Sequence, residues 1–111
     1  MMQDYETMYI LKPIFSEEQV NEAVNKYQSF LSERGAENIE IQNLGKRRLA
    51  YEVANYTDGI YIQMNYQADG SHVAPMERTM RFSEDVIRYL TLKMAKSPAR
   101  STKTVEVEQE G

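Results

Sequence analysis

The chain has 111 residues, no Cys, one His and a formal net charge of -4. That length bounds a single domain with a short tail, and the lack of Cys excludes disulfide staples and thiolate metal sites. One His excludes a His-built metal cluster, no apolar run approaches the roughly 20 residues that span a bilayer, and the opening Met1-Met2-Gln3-Asp4 lacks the layout of a signal peptide.

Tyr5 to Lys12 reads as a strand with partly apolar faces on both sides, as a central strand requires, and Pro13 ends it. Ser16-Glu17-Glu18-Gln19 has the pattern of a capping box. Apolar residues then recur at Val20, Ala23, Val24, Tyr27, Phe30 and Leu31, one face of a helix that Gly35 stops. Residues 37–55 read as one long strand, bent or bulged near Gly45, with Ile39 and Ile41 and then Leu49, Tyr51 and Val53 alternating with polar residues. The segment Asn55-Tyr56-Thr57-Asp58-Gly59 is expected to be the turn, punctuated by Asp-Gly. Ile60, Ile62, Met64 and Tyr66 give a third strand with a period of two. A second helix spans roughly residues 71–82, with Val73, Met76 and Met80 on one face and Asp69 or Ser71 as its cap. Pro75 fits only near its first turn. Val86 to Lys93 is the last strand. From Ala95 periodicity ends, so residues 1–94 read as the domain and 95–111 as a flexible tail.

Strand–helix–strand–strand–helix–strand, with right-handed crossovers, predicts a ferredoxin-like α+β sandwich. Its four-stranded antiparallel sheet carries both helices on one face. The other face is left open and partly apolar, and is expected to contact something.

The charge is unevenly placed. Residues 1–40 hold eight acids and three bases, whereas residues 78–103 hold seven bases and two acids. Lys46-Arg47-Arg48 is the densest cationic cluster. Cations on an edge strand discourage unwanted pairing, but three in a row exceed that need, and Arg suits phosphate oxygens. In a strand Lys46 and Arg48 share one face and Arg47 takes the other, so the cluster can serve two surfaces. Enzymatic readings lack their parts. The loop Lys12-Pro13-Ile14-Phe15-Ser16 has neither the Gly-rich turn nor the Arg of a small acylphosphatase, and nothing places a nucleophile beside His72. Glu17-Glu18 is accounted for by the helix N-terminus. The third strand, at Asp58-Gly59-Ile60-Tyr61-Ile62, lacks the aromatic pattern of an RNA-recognition module.

Tyr5-Glu6-Thr7-Met8-Tyr9-Ile10-Leu11 with Pro13, Gly45-Lys46-Arg47-Arg48-Leu49-Ala50-Tyr51-Glu52-Val53, Gly59-Ile60-Tyr61 and Val86-Ile87-Arg88-Tyr89-Leu90 together resemble the bacterial-type small-subunit ribosomal protein six family. The likeness runs in order over residues 3–94. It implies an architectural, non-enzymatic role with no cofactor, no small-molecule substrate and no membrane. It further implies a heterodimer with small-subunit ribosomal protein eighteen that binds the central domain of the small-subunit ribosomal RNA during platform assembly. By matching positions, Lys46, Arg47, Arg48, Arg81, Arg88 and Lys93 are the implied RNA or partner contacts. The acidic first 40 residues depart from the pattern and imply that the partner supplies much of the positive charge. A cytoplasmic, ribosome-associated location follows, with the plastid stroma as the other compartment the family occupies. The alternative from a different class is a ferredoxin-like regulatory or ligand-binding domain that self-associates through its open sheet face.

Overall fold

The computed structural model describes residues 2–94, so the expected tail at 95–111 lies outside the described residues. In chain order the elements are β1 (Met2–Leu11), α1 (Glu17–Glu33), β2 (Glu37–Val53), β3 (Tyr56–Asp69), α2 (Val73–Phe82) and β4 (Val86–Met94), with a short 3-10 turn at Gly70–His72 before α2. The four strands form one sheet in the order β2-β3-β1-β4, and every neighbouring pair is antiparallel. This is the ferredoxin-like arrangement that the element order predicts, with β2 and β4 as its edges.

Local chemistry explains where α1 begins and ends. The Ser16 hydroxyl accepts from the Gln19 backbone N–H at 3.2 Å, and the Gln19 side chain accepts from the Ser16 N–H at 2.9 Å. Both halves of the capping box are therefore made, and two otherwise unpaired amides of the first turn are satisfied. At the far end Gly35 takes a φ of 95°, a conformation that side chains disfavour. It donates to the Ser32 carbonyl while Ala36 donates to Leu31, which closes the last turn as a Schellman motif. Asp69 caps the 3-10 turn that leads into α2, its carboxylate accepting from the Ser71 N–H at 2.9 Å, whereas α2 itself begins after His72 with no side-chain cap from Asp69 or Ser71. The Ser71 backbone bond holds the Asp69 carboxyl down to about 2, since hydrogen bonds to the ionised form favour it. Pro75 is the third residue of α2, where the missing N–H would have had no helical partner.

The core lies between the helices and one sheet face. Tyr9 and Leu11 of β1, Ile60, Ile62, Met64, Tyr66 and Ala68 of β3, Val20, Ala23, Tyr27 and Leu31 of α1, and Met76 and Met80 of α2 form one buried cluster. The period of two in β3 is thus the alternation of a strand with one face in this core. Tyr9 and Tyr27 meet edge to face at 5.3 Å, and burial pushes the Tyr9 phenol well above its usual range, so it is neutral. Among the described residues Thr7 is the one buried polar residue. Its hydroxyl lies 2.7 Å from the Tyr66 hydroxyl and 2.8 Å from that of Thr91, a chain of hydrogen bonds crossing β3, β1 and β4. Thr7→Val keeps the shape and strands the buried Tyr66 hydroxyl. We expect it to cost about 2 kcal/mol, read as a lower denaturant midpoint with an unchanged slope.

Two expectations are corrected. The first strand starts at Met2, not Tyr5, because Met2, Gln3 and Asp4 continue the ladder against Asp69, Ala68 and Gln67 of β3. The hairpin turn is the two residues Ala54 and Asn55, with φ of 51° and 70°, and not the Asp58-Gly59 region. Positive φ at both central positions marks the turn whose twist matches the flanking strands. Asp58 and Gly59 lie within β3, paired with Arg48 and Arg47.

Candidate nucleic-acid interface

The two sheet faces follow from the register. Tyr9, Leu11, Ile62 and Met64 face the helices, so their chain neighbours face away. Across the open face the strands β2, β3, β1 and β4 then line up in rows. One row is Glu37, Gln67, Asp4 and Met94; the next is Glu40, Asn65, Glu6 and Leu92; the third is Gln42, Gln63, Met8 and Leu90; the fourth is Gly45, Tyr61, Ile10 and Arg88. Arg47, opposite Gly59, begins the fifth. Side-chain hydrogen bonds agree with this placement: Gln67 donates to Asp4 at 3.0 Å across two strands, and Gln63 donates to Asn65 at 2.9 Å along one. The open face is therefore graded. Its first two rows carry four acids, its third carries Met8 and Leu90, and its far end carries Arg47 and Arg88.

The bend predicted at Gly45 sets which cation faces which way. The register between β2 and β3 shifts between Asn43 and Gly45. There Gly45 has a φ of 86° and donates its N–H to the Asn43 side chain at 2.8 Å. The extra residue resets the alternation, so Arg47 falls on the open side while Lys46 and Arg48, opposite Ile60 and Asp58, fall on the helix side. All three are exposed, and none forms an ion pair among the described residues. The Arg47 Nε donates to the Leu44 carbonyl at 3.3 Å, which orients the guanidinium and leaves its terminal nitrogens available to an anion.

Beyond Arg48 the register slips again before the turn: Arg48 pairs with Asp58 but Val53 with Tyr56, so residues 49–52 of β2 bulge against the single residue Thr57. Tyr51 of edge strand β2 has its ring 5.3 Å from the Arg88 guanidinium of the opposite edge strand β4. Leu49 and Ile10 are buried yet lie outside the helix-side core. Tyr51 itself is 58% exposed. The alternation of Leu49, Tyr51 and Val53 thus buries only Leu49.

Of the six cations singled out from sequence, the structure brings Arg47 and Arg88 to one end of the open face, on opposite edge strands, with Tyr51 against Arg88. Lys46 and Arg48 flank them along β2. Arg81 lies apart in the last turn of α2, its guanidinium 5.2 Å from the Phe82 ring. Lys93 is opposite Tyr5, on the helix-side alternation of β4. Sequence reasoning missed Leu90 and Leu92, which are 54% and 42% exposed, and the acidic end formed by Asp4, Glu6, Glu37 and Glu40. Among the described residues no group of His, Asp or Glu is arranged to hold a metal.

Fold and face together define a ferredoxin-like scaffold with a charged open sheet face. A family model described as Ribosomal protein S6 matches residues 4–93. The small ribosomal subunit protein bS6 of Rippkaea orientalis is 56% identical over 94 residues, 85% of this chain and 76% of that one. The bS6 of Trichormus variabilis is 58% identical over 89 residues, 80% of this chain and 82% of that one. The crystal structure of 30S ribosomal protein S6 from Thermotoga maritima superposes with a TM-score of 0.78 at 26% identity, covering 85% of this chain and 89% of that chain. The protein CPII of Thiomonas intermedia, solved with ADP, AMP and acetate, matches with a TM-score of 0.52 at 10% identity, a likeness of fold alone.

The chain belongs to the ribosomal protein S6 family. It is a structural, non-enzymatic component of the small ribosomal subunit. No helix among the described residues is long and apolar enough to cross a membrane.

Proposed function

We propose that this chain pairs with small-subunit ribosomal protein eighteen, and that the pair binds the central domain of the small-subunit ribosomal RNA during assembly of the platform, in the cytoplasm. The observation that carries this reading is the graded open face. Arg47 and Arg88 at one end, with Lys46 and Arg48 beside them, suit phosphate oxygens. Arg81 and Lys93, lying apart, supply further RNA or partner contacts. The acids Asp4, Glu6, Glu37 and Glu40 at the other end repel phosphate, and with Met8, Leu90 and Leu92 they suit a partner protein that is basic and buries apolar area.

A gel-shift titration of a central-domain RNA fragment tests this, with this chain, with protein eighteen and with both. A shift that requires both proteins, and that weakens steeply with salt through counterion release, is expected. No shift in any combination, or a shift indifferent to salt, removes the reading. In that event sedimentation would ask whether the open face instead joins two copies of this chain.

A further inference from the structure

We infer that Tyr51 is a stacking site for one unpaired base of the bound RNA, held ready by Arg88. The inference deepens the RNA-binding reading above and rests on it. The Tyr51 ring is more than half exposed in the bulged stretch of β2 between Arg48 and Val53, which leaves it accessible to a ligand. One side of the ring is backed by a cation: the Arg88 guanidinium stands 5.3 Å from its centroid, within the range of a cation–π contact. The hairpin beneath is anchored by buried Leu49 and by Ile10 of the sheet. A flat π-surface backed by a cation recognises a nucleobase by stacking, and neighbouring Arg side chains take the adjoining phosphates.

The charge around the ring favours RNA over protein as its occupant. The fourth and fifth rows of the open face carry Arg88 and Arg47 and no acid among Gly45, Tyr61, Ile10 and Gly59. The acids of that face are confined to the first two rows. The stacking ring comes from β2, whereas RNA-recognition modules draw theirs from the central strands, so the absence of that module's pattern in β3 leaves this site untouched.

The test uses the full chain with protein eighteen and the central-domain RNA fragment. Y51L should weaken RNA binding on the order of tenfold, as loss of one base stack does, whereas Y51F should stay within about twofold because the π-face persists. The dependence of log affinity on log salt should be unchanged in Y51L, because no phosphate contact is removed. Calorimetry of the two proteins without RNA should show unaltered pairing. Full RNA affinity in Y51L overturns the assignment while leaving RNA binding in place. Weaker protein pairing in Y51L also overturns it and gives the ring to the partner. Absence of RNA binding by the unsubstituted pair overturns both readings. Photocross-linking of the unsubstituted pair to RNA carrying 4-thiouridine needs no substitution: an adduct on Tyr51 is expected, and adducts confined to other peptides overturn the site.

Discussion

Reversing Lys46, Arg47 and Arg48 to Glu is expected to lower the affinity of the heterodimer for central-domain RNA by on the order of a hundredfold or more. Each charge-assisted hydrogen bond to a phosphate contributes about 1.5 to 3 kcal/mol, so losing two is enough for that factor. Reversal also places three negative charges against the RNA backbone. The loss should come with a changed salt response, the slope of log affinity against log salt falling by about 0.7 to 0.9 for each phosphate contact removed. Folding should survive. All three side chains are exposed on an edge strand, where substitutions usually change stability by less than about 0.5 kcal/mol. Glu in their place still keeps that edge charged against strand pairing. A folded triple variant with native RNA affinity and native salt slope would assign RNA binding to other residues.

The largest stability effect is expected at Gly59. A Cβ there would run into the Ile10 Cγ2, sit 3.1 Å from the Leu11 carbonyl oxygen and come 3.6 Å from the Ile87 side chain. The carbonyl belongs to the backbone of the central strand β1, and the Ile10 methyl can move only by a change of χ1 in a buried, β-branched side chain. Gly59→Val should cost about 3 kcal/mol through overpacking, and Gly59→Ala about half of that. Chemical denaturation should show the midpoint falling with the slope retained. Because Gly59 is opposite Arg47, the valine variant should also lose RNA affinity where it remains folded. A Gly59→Val protein as stable as the parent would mean that β1 and β3 can separate locally at no cost.

Gly59 also shows how far the sequence could be read. Asp58-Gly59 looks like turn chemistry, but here the glycine serves close strand approach, and a sequence does not distinguish those two uses. The real turn uses Ala54, whose left-handed conformation nothing in its side chain announces. Where one residue's chemistry is enough to set the structure, the reading held: Ser16 and Gln19 form their capping box, Gly35 stops α1, Gly45 marks the bulge, and β3 alternates against the core. The candidate site was only partly legible. The cations at 46–48 stand together in the chain, but the acids at 4, 6, 37 and 40 come from different strands, and only the pairing register gathers them at one end. Tyr51 was hidden for a related reason. The last of three register slips in β2, between Arg48 and Val53, interrupts the alternation, so its solvent-facing position could not be counted from Leu49.

The grading of the open sheet has one more effect. A surface negative at one end and positive at the other can be approached correctly in only one sense. A basic protein turned end for end would set its cations against Arg47 and Arg88, and RNA slid along the sheet would set its phosphates against Asp4 and Glu6. Both misplacements are penalised by repulsion, with no need for a tighter fit in the correct pose. On the proposed function, the same rows that would attract two components would also fix their left and right, giving a small subunit protein with no catalytic chemistry the means to impose direction on what is built around it.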